Sequence, residues 1–263
     1  IIDLPTCERL LNIASNASPL FVIGTVGASM MSSNKIGYIL LLSNILSCIF
    51  MGFIIPSKNS FSRIRIKSNS IKKNVNKDVN FGIIFKNSIE DAIKNSLNIG
   101  GFIVVFSVIT GIIKDNVIFH IVLNKISLFV GSSSDFIQGL ILGMLEVTNG
   151  CDLISSSNSS LIVKLPILSF LIAFSGLSII SQVYSYTYKY NVSIKKYVVR
   201  KFIQAIISSI SSIILYYVFL HTTSVFAFNN TSIYSNSNLY ILILFILFIP
   251  MFLANIIKLF HTS

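Results

Sequence analysis

Residues 36–55 run for twenty positions without a charged side chain. At 1.5 Å per helical residue, that is the length needed to cross the roughly 30 Å hydrocarbon core of a bilayer. Apolar stretches of similar character occupy 97–113, 161–183, 202–220 and 239–260. They are too many and too far from the start to form one signal peptide, and no cleavable targeting segment is visible. The expected fold is therefore an all-α polytopic membrane helix bundle. Charge content agrees: 11% of the residues are charged, against about 25% in soluble domains. The sequence starts at Ile1 rather than Met and is read as a fragment whose missing N-terminal part would hold further spans.

The formal net charge of +11 is unevenly spread, with seven basic residues between Lys58 and Lys77 and five between Lys189 and Lys201. Both groups lie between apolar stretches, where Lys and Arg concentrate on the cytoplasmic side of a membrane protein. If 56–80 and 189–201 are cytoplasmic, spans 36–55, 161–183 and 239–260 run inward, and 97–113 and 202–220 run outward. The uncharged segment 222–238 then lies outside. Such loops also suit contact with anionic lipids, and the distribution removes the case for nucleic acid. Cys7, Cys48 and Cys151 have neither metal-site nor disulfide spacing. The Asn229-Asn230-Thr231 acceptor pattern carries little weight in a chain this rich in Asn and Ser.

The alternation makes a demand on the middle of the chain. Span 97–113 ends outside and 161–183 starts there, so 117–130 and 136–148 have to return to the same side as a pair. Each is short for a full crossing, and Gly131-Ser132-Ser133-Ser134-Asp135 separates them. A third short stretch, 19–31, is entered through Asn16-Ala17-Ser18-Pro19. Short hydrophobic segments interrupted by Gly or Pro point to broken or re-entrant helices around a midplane transport site. The same pattern also fits surface helices or ordinary spans with displaced ends.

Two segments carry the candidate chemistry. Carboxylates at membrane depth are expensive, about 2.5–3.5 kcal/mol on insertion scales, so Glu146 carries a functional reading by default. On a helix ending near Thr148, Glu146 and Asn149 share a face, and Asn149-Gly150 is a natural C-terminal stop. Asp152 and the polar run from Ser155 to Ser160 follow. A buried break here would let Glu146 carry a proton or coordinate a cation with helix-end carbonyls; otherwise Glu146 sits at the interface and 149–160 is a solvated loop. The second segment starts with Ser18 as N-cap and Pro19 in the first turn. Its exposed N–H groups would form an anion site, with Gly24 and Gly27 allowing close approach of a ligand or a helix. An ordinary helix start with small packing residues is the alternative.

Lys114, beside Asp115, together with Lys125 and Lys164, fits snorkelling to the interface, with ligand contact as the other reading. His120, His221 and His261 are scattered. The absence of metal, phosphate-loop and nucleophile-base motifs leaves an intramembrane enzyme unsupported, and no cofactor or metal is expected.

Three segments in order, Asn16-Ala17-Ser18-Pro19-Leu20-Phe21-Val22-Ile23-Gly24-Thr25-Val26-Gly27-Ala28, Ile99-Gly100-Gly101-Phe102-Ile103-Val104-Val105-Phe106-Ser107 and Gly143-Met144-Leu145-Glu146-Val147-Thr148-Asn149-Gly150, resemble the YlbJ family of sporulation integral membrane proteins. The resemblance runs from about Pro5 to Ile180. It implies a nucleoside-recognition, or Gate, domain resembling part of a nucleoside-transporter core. On that reading 1–186 is the Gate-like core, including loop 56–80, and 187–263 a C-terminal helical pair. Family members are longer, so an N-terminal repeat is expected to be missing here.

The resemblance further implies passage of dipicolinic acid across the outer, mother-cell-derived forespore membrane during endospore formation. That substrate is a dianion at neutral pH, so the Ser18-Pro19 helix end suits it better than Glu146 does. The candidate substrate-binding set is Asn16, Ser18, Gly24, Gly27, Glu146, Thr148, Asn149 and Asp152, with Glu146 and Asn149 shaping the site, binding a coupling ion or carrying a proton. A non-catalytic membrane scaffold or assembly factor of the spore is the alternative function. Nucleosides or another small metabolite remain open as substrates.

Overall fold

The computed structural model describes residues 4–55, 81–130 and 133–221. The expectations for the basic loop 56–80, the segment 222–238 and the span 239–260 lie outside these residues. Every regular element among them is helical: α1 (Leu4–Ala14), a π-helix π1 (Leu20–Met30), α2 (Asn34–Ile54), α3 (Phe81–Lys114), α4 (Val117–Val130), α5 (Ser134–Leu145), α6 (Val147–Ser156), α7 (Leu161–Phe174), α8 (Gly176–Thr187) and α9 (Ile194–Tyr216). Four stretches, Asn34–Ile54, Phe81–Lys114, Leu161–Tyr190 and Ile194–Leu220, are long and apolar enough to cross a membrane. They correspond to the expected spans 36–55, 97–113, 161–183 and 202–220. The chain folds as an all-α polytopic bundle.

In lipid, apolar area drives little helix association, so small residues and interhelical hydrogen bonds hold a bundle together. The core of α2, α7 and α9 follows that rule. Ser169 on α7 sits between Ser43 of α2 and Ser208 of α9, with oxygen separations of 2.7 and 2.8 Å. Leu40, Leu168, Leu171, Ile172 and Ala205 around it are fully buried. On the α7–α9 contact, Phe202 meets Phe170 and Phe174 edge-on at centroid distances of 5.6 and 6.2 Å. Phe and Ser thus alternate bulk with close approach along one seam.

The short helix α1 ties two span ends together. Its buried Glu8 accepts the Ser193 N–H at 3.2 Å and lies 3.8 Å from Lys196 and 3.6 Å from Arg200, a carboxylate at the positive end of α9. The next residue, Arg9, donates to the Gly52 carbonyl in the last turn of α2 at 2.6 Å. The end of α2 and the start of α9 therefore lie at one end of the molecule, as the inward and outward senses read from the basic segments require.

Helix α9 packs along α7 and across α2. Contacts divide the chain into units 1–216 and 217–263. Of the second unit, the described part is a π-helical turn, Tyr217–His221.

Candidate functional site

The stretch expected as one helix over 136–148 ends earlier. α5 stops at Leu145, Glu146 is extended at φ −138° and ψ 117°, and α6 begins at Val147. The Asn149-Gly150 pair, read as a C-terminal stop, lies instead in the first turn of α6. The reason is local chemistry: the Glu146 carboxylate accepts the Thr148 N–H at 3.1 Å with Oε1 and the Asn149 N–H at 2.8 Å with Oε2. It caps α6, supplying acceptors for two N–H groups that a helix start leaves without partners. Its 2% exposure is tolerable because these donors and the positive end of the α6 dipole replace water.

After the break, α6 folds back on α5 as a helical hairpin. A Cβ on Gly150 would lie 2.1 Å from the Gly143 Cα, and one on Gly139 would lie 2.7 Å from Ile154 Cγ1. Only glycines allow backbones this close. The arms of this hairpin are α5 and α6, with Glu146 at its tip, whereas the sequence paired 117–130 with 136–148; of that pair, α4 and α5 are helices bent sharply against each other.

The span expected over 161–183 is also broken. Ser175 (φ 73°) and Gly176 (φ 72°) are both left-handed, ending α7 and starting α8. The Ser175 N–H still bonds the Leu171 carbonyl at 2.9 Å, an αL helix stop. This second break touches the first: a Cβ on Gly176 would lie 3.2 Å from the carbonyl oxygens of Gly143 and Leu145 and 3.4 Å from the Val147 nitrogen. Gly176 falls inside the 30-residue helical stretch Leu161–Tyr190, which is long and apolar enough to cross a membrane, so two helix breaks meet within the bundle. Close by in sequence, Ser178 is buried at 1% exposure with its hydroxyl unpaired among the described residues.

Between α3, α5 and α6 lies an open cleft of about 220 Å³, lined by Ser107, Thr110, Gly111, Lys114, Leu142, Asn149, Asp152 and Leu153. Asn149 spans it, donating from Nδ2 to Thr110 Oγ1 at 2.9 Å and to Ser107 Oγ at 3.5 Å. Since Glu146 holds the Asn149 backbone, the cap at the break also positions the amide that joins α6 to α3. Lys114 and Asp152 are exposed and contribute one charge of each sign. Seven residues of helix, about 10 Å, separate Lys114 from Ser107 on α3. The cleft therefore grades from a charged rim to a neutral floor of hydroxyls and amide. Among the described residues, no group of three or more His, Cys, Asp and Glu side chains suits a metal ion.

The expected site residues fall into three places. Asn149 and Asp152 line the cleft, while Glu146 and Thr148 hold the break beside it. Ser18 lies apart on the surface, where its hydroxyl accepts the Phe21 N–H of the first turn of π1 at 3.2 Å. Gly27 packs on α2, where a Cβ would lie 2.5 Å from the Gly37 Cα, and Gly24 has Leu20 as its neighbour. Asn16 belongs to a third cluster with Lys201 and Gln204. π1 does pack on α6, but its first turn and the cleft do not share lining residues. Sequence reasoning passed over Ser107 and Thr110, whose spacing of three places them on one helical face. Lys201, counted there with the cytoplasmic basic segment, is fully buried.

These features define a multi-pass integral membrane protein with two broken helices meeting beside a small polar cleft. The chain is similar to the sporulation integral membrane protein YlbJ of Bacillus subtilis (strain 168), with 23% identity over 227 residues, 80% of this chain and 55% of that protein. That similarity agrees with the resemblance to the YlbJ family drawn from the three motifs. The chain spans about half the length of the curated relative it matches. No family model matches the chain, and no solved structure matches it.

Proposed function

We propose that this protein is a membrane carrier of endospore formation that moves a small carboxylated metabolite, dipicolinic acid, across the outer forespore membrane. The observation that carries the reading is the meeting of the breaks at Glu146 and Ser175-Gly176 inside the bundle, beside a polar cleft. Broken helices place backbone ends and polar side chains where a continuous span offers none, and rocking about such breaks is how carriers alternate access. The sporulation context comes from the relative's name, and the substrate from the family resemblance.

The cleft chemistry suits such a ligand in part. A volume of about 220 Å³ lies below the roughly 300–1,000 Å³ of drug-sized pockets and fits a molecule of about a dozen non-hydrogen atoms. Lys114 supplies a cation for one carboxylate, and the hydroxyls of Ser107 and Thr110 with the Asn149 amide supply hydrogen bonds. Asp152 repels a second carboxylate, so the ligand would enter with one carboxylate on Lys114 and the other turned away from Asp152. Glu146, turned to its own helix N–H groups, keeps its negative charge out of the cleft. The reading is non-enzymatic.

Dipicolinate uptake into vesicles containing the full-length protein tests it. Uptake above that of empty vesicles is expected, with a drop of about tenfold or more for Lys114→Gln and for Asn149→Ala, each removing one charged or bridging hydrogen bond worth about 1.5–3 kcal/mol. Wild-type uptake no faster than in empty vesicles would refute the carrier reading and favour a scaffold role.

A further inference from the structure

Lys201 is the most conspicuous side chain that the cleft leaves unexplained. It lies on the second turn of α9 and is fully buried, so it does not snorkel, a behaviour that would leave its head group in water. Among the described residues it makes no ion pair with a carboxylate. Its ammonium instead donates to the Ser15 carbonyl and, at 3.1 Å, to Asn16 Oδ1. Both acceptors belong to the non-helical link between α1 and π1.

Side-chain amides surround this pair, and two of their oxygens lack a donor among the described residues. Gln204 Nε2 donates to Asn16 Oδ1 at 2.9 Å and to Cys48 Sγ at 3.1 Å, and Asn12 Nδ2 reaches Gln204 Oε1 at 3.5 Å. Asn12 is fully buried, and its Oδ1 has no partner among the described residues. The same holds for the Oδ1 of buried Asn44, one turn from Cys48 on α2. The C-terminal end of the α1 dipole adds further negative potential. Neutral oxygens in excess at a helix end, with no carboxylate, are what a desolvated monovalent cation requires.

We propose that the link between α1 and π1 is a monovalent-cation site, formed by the Ser15 carbonyl and the Asn16 amide oxygen with the unpaired Asn12 Oδ1 on the preceding turn of α1, and that the Lys201 ammonium fills it as a tethered ion on the first two. The site is separate from the cleft and does not depend on the transport reading. Its consequence is that this break is held shut without a dissolved ion, whereas removal of the tether creates a demand for one.

Thermal unfolding of the full-length protein in lipid–detergent micelles tests this at fixed ionic strength, with choline, sodium or methylammonium as the cation. The wild-type midpoint should be the same in all three. Lys201→Ala should lower the choline midpoint by about 5 °C or more and recover, saturably, with methylammonium supplied from extraction onward. In Lys201→Ala/Asn16→Ala, about tenfold more methylammonium should be needed. Lys201→Gln, which keeps hydrogen bonding without charge, should remain below wild type. The proposal is overturned if Lys201→Gln is as stable as wild type, or if methylammonium rescues no better than choline, including the case in which Lys201→Ala fails to accumulate in either. An unchanged methylammonium requirement in the double variant overturns it as well.

Discussion

Removing the Glu146 carboxylate should open the α5–α6 hairpin locally, and Cys151 offers a direct readout. In Glu146→Ala, the Thr148 and Asn149 N–H groups, bonded at 3.1 and 2.8 Å, lose their acceptors. Each buried donor left unpaired costs about 1–3 kcal/mol. Asn149 borders the cleft, where water relieves part of its loss, so the sum settles near 2–3 kcal/mol. Cys151 lies on the same helix with 0% exposure, and its thiol reacts with a maleimide only when α6 opens. With opening fast relative to labelling, each 1.4 kcal/mol is about tenfold in rate, which gives about 30- to 150-fold faster labelling. Glu146→Gln retains one acceptor and should show about 5- to 10-fold. The assay uses protein in bilayer vesicles with Cys7→Ser and Cys48→Ala, leaving one described thiol. An unchanged rate in Glu146→Ala would refute the cap, and equal rates in the Ala and Gln variants would refute the hydrogen-bond argument.

Two further outcomes follow from backbone packing and the serine seam. Gly150→Ala places a methyl 2.1 Å from the Gly143 Cα, so the hairpin arms must separate; overpacking of about 1–3 kcal/mol should appear as a lower midpoint for thermal unfolding and faster Cys151 labelling, whereas Gly100→Ala, with nothing within 4 Å, should change neither. Ser169→Ala removes the oxygen shared by Ser43 and Ser208 and should lower stability by about 0.6 kcal/mol, the average for such bonds between membrane helices, and by no more than about 1.7 kcal/mol for each bond, read by the same unfolding assay.

Much of the fold was legible because bilayer physics acts on composition alone. The twenty uncharged residues of 36–55 and their counterparts announce spans whatever they pack against, and Pro19 with Ser18 marks a helix start from local chemistry. The breaks were less legible. Asn149-Gly150 is a strong local stop signal, yet the chain passes through it as helix, because Glu146 caps the turn and Gly150 is needed for contact with Gly143. Conversely, Phe174-Ser175-Gly176 sits within an apolar run with no Pro beside it, and its break became visible only from the backbone of α5 lying against Gly176. Lys201 reads as loop charge because hydropathy windows end where charges begin, whereas its burial depends on α1 closing over the start of α9.

Sequence by itself determined that this chain is an all-α membrane bundle, which described segments are long and apolar enough to cross, and that the region around Glu146 is unusual, since transfer to lipid and helix length depend on residues one at a time or in short windows. Tertiary structure alone decided where the helices break, which polar groups face one another, and that Glu146 serves a helix end while Asn149 reaches Thr110. Those outcomes turn on pairs such as Gly143 with Gly150 and Leu145 with Gly176, whose separations of a few ångströms no local pattern encodes.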